Sequence, residues 1–190
     1  KINLTADQNV TITNETERHE SLHEEHREKT GFLSSTKNDI YDYQSQDKVK
    51  GSSLSGHELA VTANENVTVQ GSSAVADQDV TLKATTGNIN IEAAEEISRS
   101  DYEKSVKKSG LFSGGGIGFT IGKQSQKSTN ELDSVSQAGS VVGSTGGNVT
   151  LEAGKDVAVT ASDIISGQDT TITGQNVTIQ AADDTDKEHD

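Results

Sequence analysis

The feature that most constrains the fold is a tetrapeptide that recurs along the chain: Asn or Asp, an apolar residue, Thr, and a second apolar residue. Close copies begin at Asn9, Asn66, Asp79, Asn148 and Asn176, and looser copies begin at Asn88, Asp156 and Asp169. Because side chains alternate between the two faces of a strand, the apolar residues of each copy point to one side and the Thr to the other. The pattern therefore predicts many short strands, each with one buried face.

The spacing of these strands predicts that the chain returns to the same place at regular intervals. From Val149 to Val157 is 8 residues and from Val157 to Thr170 is 13, and the step from Val67 to Val80 is again 13. One short and one long step make a coil of about 21 residues. Strands that return in the same direction at this interval can pair in parallel with the coil above. The sequence thus predicts an all-β fold, a parallel β-helix.

Each coil has a third extended segment inside its long step, such as Gly71-Ser72-Ser73-Ala74-Val75. The Asn or Asp that opens each tetrapeptide suits a corner, because its side chain can hydrogen-bond nearby backbone groups. Stacked coils are therefore expected to place Thr on Thr and to form rows of Asn and Asp. A β-sandwich also has alternating Thr-rich strands, but it does not predict equal spacing between them.

Two long segments interrupt this rhythm, at about residues 14–50 and 94–138. Both leave after the second short strand of a coil and return just before a Gly-Ser corner, which predicts insertions at one point of the coil. Residues 183–190 leave at the same point and are interpreted as the start of a truncated third excursion. We expect projecting β-hairpins on one β-helix segment, residues 1–190, from inside a longer filament. The acidic arm from Glu15 to Lys29 fits a helix equally well.

Composition excludes several classes of protein. Only 29% of the residues are hydrophobic and 3% are aromatic, which is too little for a thick globular core. The chain lacks Cys, so thiol nucleophiles and disulfides are excluded, and no apolar run approaches the roughly 18 residues that a membrane helix needs. The 16 Lys and Arg residues against 30 acids argue against nucleic acid as a partner.

The chain resembles the haemagglutinin repeats of large two-partner-secreted exoproteins of Gram-negative bacteria, of the filamentous haemagglutinin and CdiA type. The resemblance covers nearly the whole chain, and its most specific part is residues 107–122, KKSGLFSGGGIGFTIG. It implies a right-handed β-helix in an extracellular filament, secreted or held at the cell surface, with adjacent repeats as partners. It also implies a role in adhesion or in contact-dependent growth inhibition, where the filament carries a C-terminal toxin to a neighbouring cell.

One stretch has the form of a zinc site. His19-Glu20-Ser21-Leu22-His23 matches HExxH, in which a helix places two His on one face and the Glu activates water. No third ligand follows at a familiar offset, and Arg99 to Glu103, the matching stretch of the second excursion, has no His. We therefore expect neither a catalytic metal nor a cofactor. His19, His23 and His26 remain candidates for adventitious zinc or nickel binding, with a solvated charged arm as the alternative.

Apolar residues in the glycine-rich turns of the excursions are the candidate contact residues. They are Phe32, Leu33, Leu111, Phe112, Ile117, Phe119 and Ile121. The coils do not need them, and exposed apolar clusters usually mark contact surfaces. They either cover the coil flank or the next repeat's hairpin, or they contact a target-cell surface or outer-membrane lipid.

These observations favour a structural shaft over an enzyme. Paired acids such as Asp77 with Asp79, or Glu95 with Glu96, leave a carbohydrate-active β-helix enzyme as a further alternative. No acid cluster with a matching base recurs on one coil face, so no catalytic residue is assigned. Because a cut shaft has unpaired strand edges, we also expect end-to-end self-association of this fragment.

Overall fold

A computed structural model of the chain describes residues 1–113 and 119–189, with side-chain surroundings described for all of these except residues 112, 113, 119 and 120. Within these ranges all regular structure is β-strand. None of the described residues forms a helix with the length and apolarity that crossing a membrane requires. The candidate contact residue Ile117 lies outside the described residues.

The described residues form nineteen strands. The first ten are β1 (Ile2–Ala6), β2 (Val10–Ile12), β3 (Glu15–Gly31), β4 (Ser34–Lys50), β5 (Ser53–Gly56), β6 (Leu59–Ala63), β7 (Val67–Gln70), β8 (Ser73–Ala76), β9 (Val80–Ala84) and β10 (Ile89–Glu92). The others are β11 (Ala94–Ser113), β12 (Phe119–Ala138), β13 (Val141–Ser144), β14 (Val149–Ala153), β15 (Val157–Thr160), β16 (Asp163–Ile165), β17 (Thr170–Thr173), β18 (Val177–Gln180) and β19 (Thr185–His189).

Residues 1–17, 48–96 and 136–184 form one compact unit, the coil unit, which contains three parallel sheets. The first sheet has the order β1-β6-β9-β14-β17, the second β2-β7-β10-β15-β18, and the third β5-β8-β13-β16. Each passage of the chain adds one strand to each sheet in turn, so the predicted parallel β-helix is confirmed. Its handedness stays a prediction.

The strand pairing follows the repeat. Leu59 pairs with Val80 in the first sheet, 21 positions later, and Val67 pairs with Ile89 in the second sheet, 22 positions later. Aligned tetrapeptides also place Thr on Thr, as the row Thr81, Thr150, Thr171 shows. The predicted Thr stacking is confirmed.

The tetrapeptides supply many of the buried apolar residues in the core of the coil unit, and Leu59, Val61 and Val142 are among the core residues outside them. Val67, Val69, Val149 and Leu151 are 0% exposed, and the Thr between each pair is half-buried. Burying one such side chain stabilises a fold by about 1.5–3 kcal/mol, so these residues make a large contribution to the stability of each coil. The predicted inward and outward faces are confirmed.

Corners between the second and third sheets require an unusual backbone. Gly71 has φ of +51° and its N–H donates to the Glu92 carbonyl at 3.0 Å. Ala161 occupies the equivalent corner with φ of +45°, and its N–H donates to Gln180 in the same way. L-residues with a side chain adopt this left-handed region at a cost, which glycine avoids.

Residues 18–47, 97–135 and 185–190 form the second compact unit, the hairpin unit, which is described through residue 189. Its sheet has the order β3-β4-β11-β12-β19, and β4 pairs with β11 in antiparallel register from Ile97 opposite Asp47 to Gly110 opposite Ser34. A turn at Phe32 and Leu33 joins β3 to β4, so the predicted hairpin is confirmed. The helical alternative for the acidic arm is wrong, because β3 pairs with β4 along this arm.

Candidate functional site

The corner residues that open the tetrapeptides form hydrogen-bonded rows. In the row before the second sheet, Asn88 donates its backbone N–H to Asn66 Oδ1 at 2.9 Å and accepts the Asp156 N–H at 3.1 Å. Asn9 and Asn176 extend this row at either end through the same type of bond. The expected rows of Asn and Asp are thus present, and each side chain satisfies a backbone donor of the following coil.

A second row runs before the first sheet. Asn148 lies between Asp79 and Asp169, and its N–H and Nδ2 both donate to Asp79 Oδ1, at 2.9 and 3.2 Å. The Asp169 N–H donates to Asn148 Oδ1 at 3.0 Å. The amide of Asn148 therefore separates two carboxylates and bonds to both neighbours.

Sequence reasoning missed a third row, built from serine. Ser52 donates its N–H to Ser72 Oγ at 3.0 Å, and Ser72 donates its own to Ser140 Oγ at 3.2 Å. Ser140 in turn donates its N–H to Ser162 Oγ at 3.1 Å. The hydroxyl of Ser140, a fully buried residue, donates to the Glu92 carbonyl at 2.7 Å. The signal was available, because a serine follows the Gly or Ala at the start of each of these corners. In all three rows a side-chain oxygen accepts a backbone N–H group of the neighbouring coil.

The His candidates do not come together. His19 and His23 lie on strand β3 rather than on a helix, and at about 3.3 Å per residue their Cα atoms are about 13 Å apart. His26 points to the opposite face of β3 and pairs with the Asp39 carboxylate. Within the described ranges, no group of three His, Cys, Asp or Glu side chains is placed to hold a metal ion.

The paired acids also serve the fold. Asp79 is a corner acceptor, as described above, and Asp77 lies 3.7 Å from His57. The Glu96 carboxylate accepts the Val49 N–H at 3.0 Å. Asp77, Asp79 and Glu96 thus take part in separate local contacts rather than in one site.

The turn of the first hairpin exposes its apolar residues. Phe32 is 99% exposed and Leu33 60%, while Ile121 on β12 is 83% exposed. Leu111 is half-buried. The strands that carry Phe112 and Phe119 are described, but the surroundings of these two side chains lie outside the described residues. Contact through this set remains a prediction.

One ion pair connects the strands of the first hairpin at the end far from its turn. Arg18 on β3 bonds the Asp47 carboxylate on β4 through Nε at 2.7 Å and through a second nitrogen at 2.8 Å. These bidentate hydrogen bonds lower the pKa of the Asp47 carboxyl and raise the pKa of the Arg18 guanidinium. The pair links β3 to β4 at this end of the hairpin.

Comparison with known proteins is consistent with this architecture. The model of the hemagglutinin-repeat family matches residues 31–190. The chain is 39% identical over 188 residues to a tRNA nuclease CdiA of Escherichia coli strain STEC_O31 and 40% identical over 187 residues to a 16S rRNA endonuclease CdiA of Enterobacter cloacae subsp. cloacae. It is 43% identical over 185 residues to a deoxyribonuclease CdiA of Dickeya dadantii.

Each of these three alignments covers 96% of this chain and 6% of the relative, so the chain spans about 6% of the length of these relatives. No solved structure matches the chain. The tetrapeptide repeat, the parallel sheets and the family match agree, and the chain belongs to the hemagglutinin-repeat family.

Proposed function

We propose that this chain is a shaft segment of a secreted filament at the surface of a Gram-negative bacterium. The filament supports adhesion or the contact-dependent delivery of a toxin to a neighbouring cell. The coil unit supports this proposal because each coil bonds to the next through three sheets and three side-chain rows. In such a repeat the stability adds along the axis, and length grows by repetition.

The observation that carries the proposal is that one segment is shared by relatives with different activities. The three relatives are named for cleaving tRNA, 16S rRNA and DNA, yet each matches this chain at 39–43% identity over 96% of its length. A segment that stays similar while the substrate changes does not set the substrate. We infer that this segment is a common scaffold, without enzymatic activity of its own.

Removal of one whole coil from the full-length parent protein tests the shaft role. Deletion of residues 59–79 removes 21 residues and joins Glu58 to Val80. Because β6 and β8 are lost together, β1 can pair with β9 and β5 with β13, each within its own sheet. We expect surface display and growth inhibition of neighbouring cells to be retained. Flow cytometry with an antibody to the filament measures surface display, and a co-culture competition assay measures growth inhibition.

The matched control is a smaller deletion that breaks the repeat. Deletion of residues 59–72 removes 14 residues but joins two successive third-sheet strands, so every later coil loses its register. We expect this variant to lose surface display. Equal tolerance of both deletions, or loss of function by a well-displayed protein lacking residues 59–79, contradicts the shaft role.

A second function, contact with a target-cell surface or outer membrane, is favoured by the exposure of the first turn. Phe32 is 99% exposed in a chain with only three Phe, and no described residue covers it. Replacement of Phe32 and Leu33 by Ser should reduce association with target cells and leave the β-sheet circular dichroism unchanged. Leu22→Ser is the control, because Leu22 is also exposed (58%) but lies within β3. Unchanged association of the Phe32 and Leu33 variant with target cells means that the turn has no role in contact.

Adjacent repeats are the proposed partners at the two ends of the coil unit. Val177 and Ile179 on β18, the last strand of the second sheet, are 47% and 65% exposed, although the equivalent Val157 and Val159 are buried. The isolated chain should therefore self-associate end to end. Lys at both positions should yield monomers in sedimentation velocity, and a wild-type chain that stays monomeric at every concentration contradicts the idea.

A further inference from the structure

The hairpin unit contains a stretch of unbalanced positive charge. From residue 104 to residue 130 the sequence has five lysines and no Asp or Glu, in a chain with net charge −14. The β4–β11 and β11–β12 pairings bring part of this stretch against β4, where Lys37 lies directly opposite Lys107. Like charges at directly opposite positions destabilise a sheet, so an anion bound beside these two lysines would reduce their repulsion.

Three of these five lysines, together with Lys37, line a groove. Its volume is about 300 Å³, and we call it the lysine groove. Its lining residues are Ser35, Lys37, Lys107, Lys108, Ser109, Lys123, Gln124 and Ser125. Every one of these side chains can donate a hydrogen bond and none is an acid.

The fold compensates little of this charge. Lys37 lies 3.5 Å from Glu28, and Lys127, outside the groove, lies 3.1 Å from Glu103. Among the described residues no carboxylate pairs with Lys107 or Lys123, both of which are exposed. Other cations of this sheet do have partners, as the Arg18–Asp47 pair shows. The lysine groove thus contains two lysines, Lys107 and Lys123, that no described carboxylate pairs with, and serine hydroxyls lie beside them.

We propose that the lysine groove binds a phosphate monoester, with Lys37, Lys107 and Lys123 contacting its oxygens. Such a group has a charge of about −1.5 to −2 at pH 7 and three strong acceptor oxygens, which matches several cations better than a single carboxylate does. The hydroxyls of Ser35 and Ser109, directly opposite each other in the same pairing, supply further donors. A compact ligand fits the groove, whereas a polyanion would meet the repulsion of the acidic chain. This site is independent of the shaft role.

Amide chemical shifts of the whole isotopically labelled chain test the site. Inorganic phosphate and glucose 1-phosphate are titrated at constant ionic strength, with chloride as the compensating anion. We expect saturable shifts of the groove amides, Lys107 and Ser109 among them, and none with chloride alone. The combined variant K107Q/K123Q should bind at least about tenfold more weakly.

Two further variants keep the test decisive. Lys127→Gln removes one charge from the same strand outside the groove, and we expect unchanged affinity. Lys107→Glu places an acid opposite Lys37, so it should abolish phosphate binding while the melting temperature stays the same or rises, which separates loss of the site from loss of the fold. Equal weakening by Lys127→Gln means general charge attraction and overturns the proposal.

Vesicles separate the sources of the phosphate. Vesicles that contain phosphatidic acid present a phosphate monoester on a lipid, and pure phosphatidylcholine vesicles do not. Binding to the former that is lost in K107Q/K123Q assigns the groove to a lipid headgroup, and a response to glucose 1-phosphate alone assigns it to a soluble ligand. A chain that responds to neither overturns the proposal.

Discussion

Asn148→Asp should destabilise the coil unit because it places three carboxylates in one row. In the native row the Asn148 amide donates to Asp79 Oδ1 at 3.2 Å, and its Oδ1 accepts the Asp169 N–H. The substitution is nearly isosteric, so packing is unchanged. It replaces a donor with a second negative oxygen facing Asp79 and brings a new charge beside Asp169.

The magnitude follows from the spacing of the coils. Adjacent strands are about 4.8 Å apart, and two unit charges at about 5 Å repel by about 0.8 kcal/mol in bulk water and by about 3 kcal/mol at an effective dielectric constant of 20. The row lies at the surface and its side chains can rotate apart, so we take a value near the lower limit for each of the two neighbours. Together with the lost amide bond, the expected loss is about 2–3 kcal/mol in the free energy of unfolding.

Urea unfolding followed by circular dichroism measures this loss. The deficit should shrink as the pH falls from 7 to 4, because one carboxylate of the row takes up a proton and the repulsion is relieved. It should also shrink in 1 M salt. Asn90→Asp is the matched control, because its strand neighbours Thr68 and Ala158 are uncharged. A loss in the Asn148 variant that equals the control, or that does not depend on pH, refutes the reasoning.

Three further predictions concern single contacts. Hydrogen bonding to Arg18 lowers the pKa of Asp47 in the folded protein. The stabilising effect of the pair is therefore complete above the ordinary carboxyl pKa of about 4 and is lost as the pH falls through the lowered value. Arg18→Gln should remove this part of the acid dependence of stability, which hydrogen exchange of the first hairpin measures. Ser140→Ala should cost about 1–3 kcal/mol in urea unfolding, because the buried N–H of Ser72 loses its acceptor. Ala161→Gly should stabilise the chain by about 1 kcal/mol in the same assay, because φ of +45° is strained for alanine but not for glycine, as at Gly71.

Each of these predictions has its own control. Arg27→Gln removes a charge from β3 whose partner, Glu25, is on the same strand, so it should leave the acid dependence intact. Ser55→Ala alters an exposed serine of the third sheet and should have no measurable effect. Gly71→Ala should be destabilising, the reverse of the Ala161 change; a neutral result there contradicts the strain argument.

Most of the coil unit was predictable because its information is local and repeated. The alternation in Val149-Thr150-Leu151 fixes the buried face, and the equal steps between copies fix which strands pair. The Asn rows followed from the same alignment, since equivalent residues of stacked coils must be neighbours. The serine row was missed because a lone Ser after Gly is a common turn signal and reveals no partner.

The hairpin unit was less predictable, for a physical reason. Strand or helix could not be decided for Glu15 to Lys29, because its charged residues have no apolar period and its conformation depends on pairing with β4. The opposition of Lys37 and Lys107, 70 positions apart, depends on the register between two excursions. No local pattern encodes that register, so the lysine groove emerges only from the structure.

The side-chain rows give the coil unit a direction. In the Asn and Asp rows the later coil donates and the earlier coil accepts, as Asp156 does toward Asn88, whereas in the serine row the earlier coil donates, as Ser72 does toward Ser140. At each corner, therefore, one end of the stack presents an acceptor and the other end presents a donor. A two-fold contact between like ends would set donor against donor, so only heterologous joining satisfies all rows, and heterologous contacts that do not close on themselves generate open fibres rather than dimers.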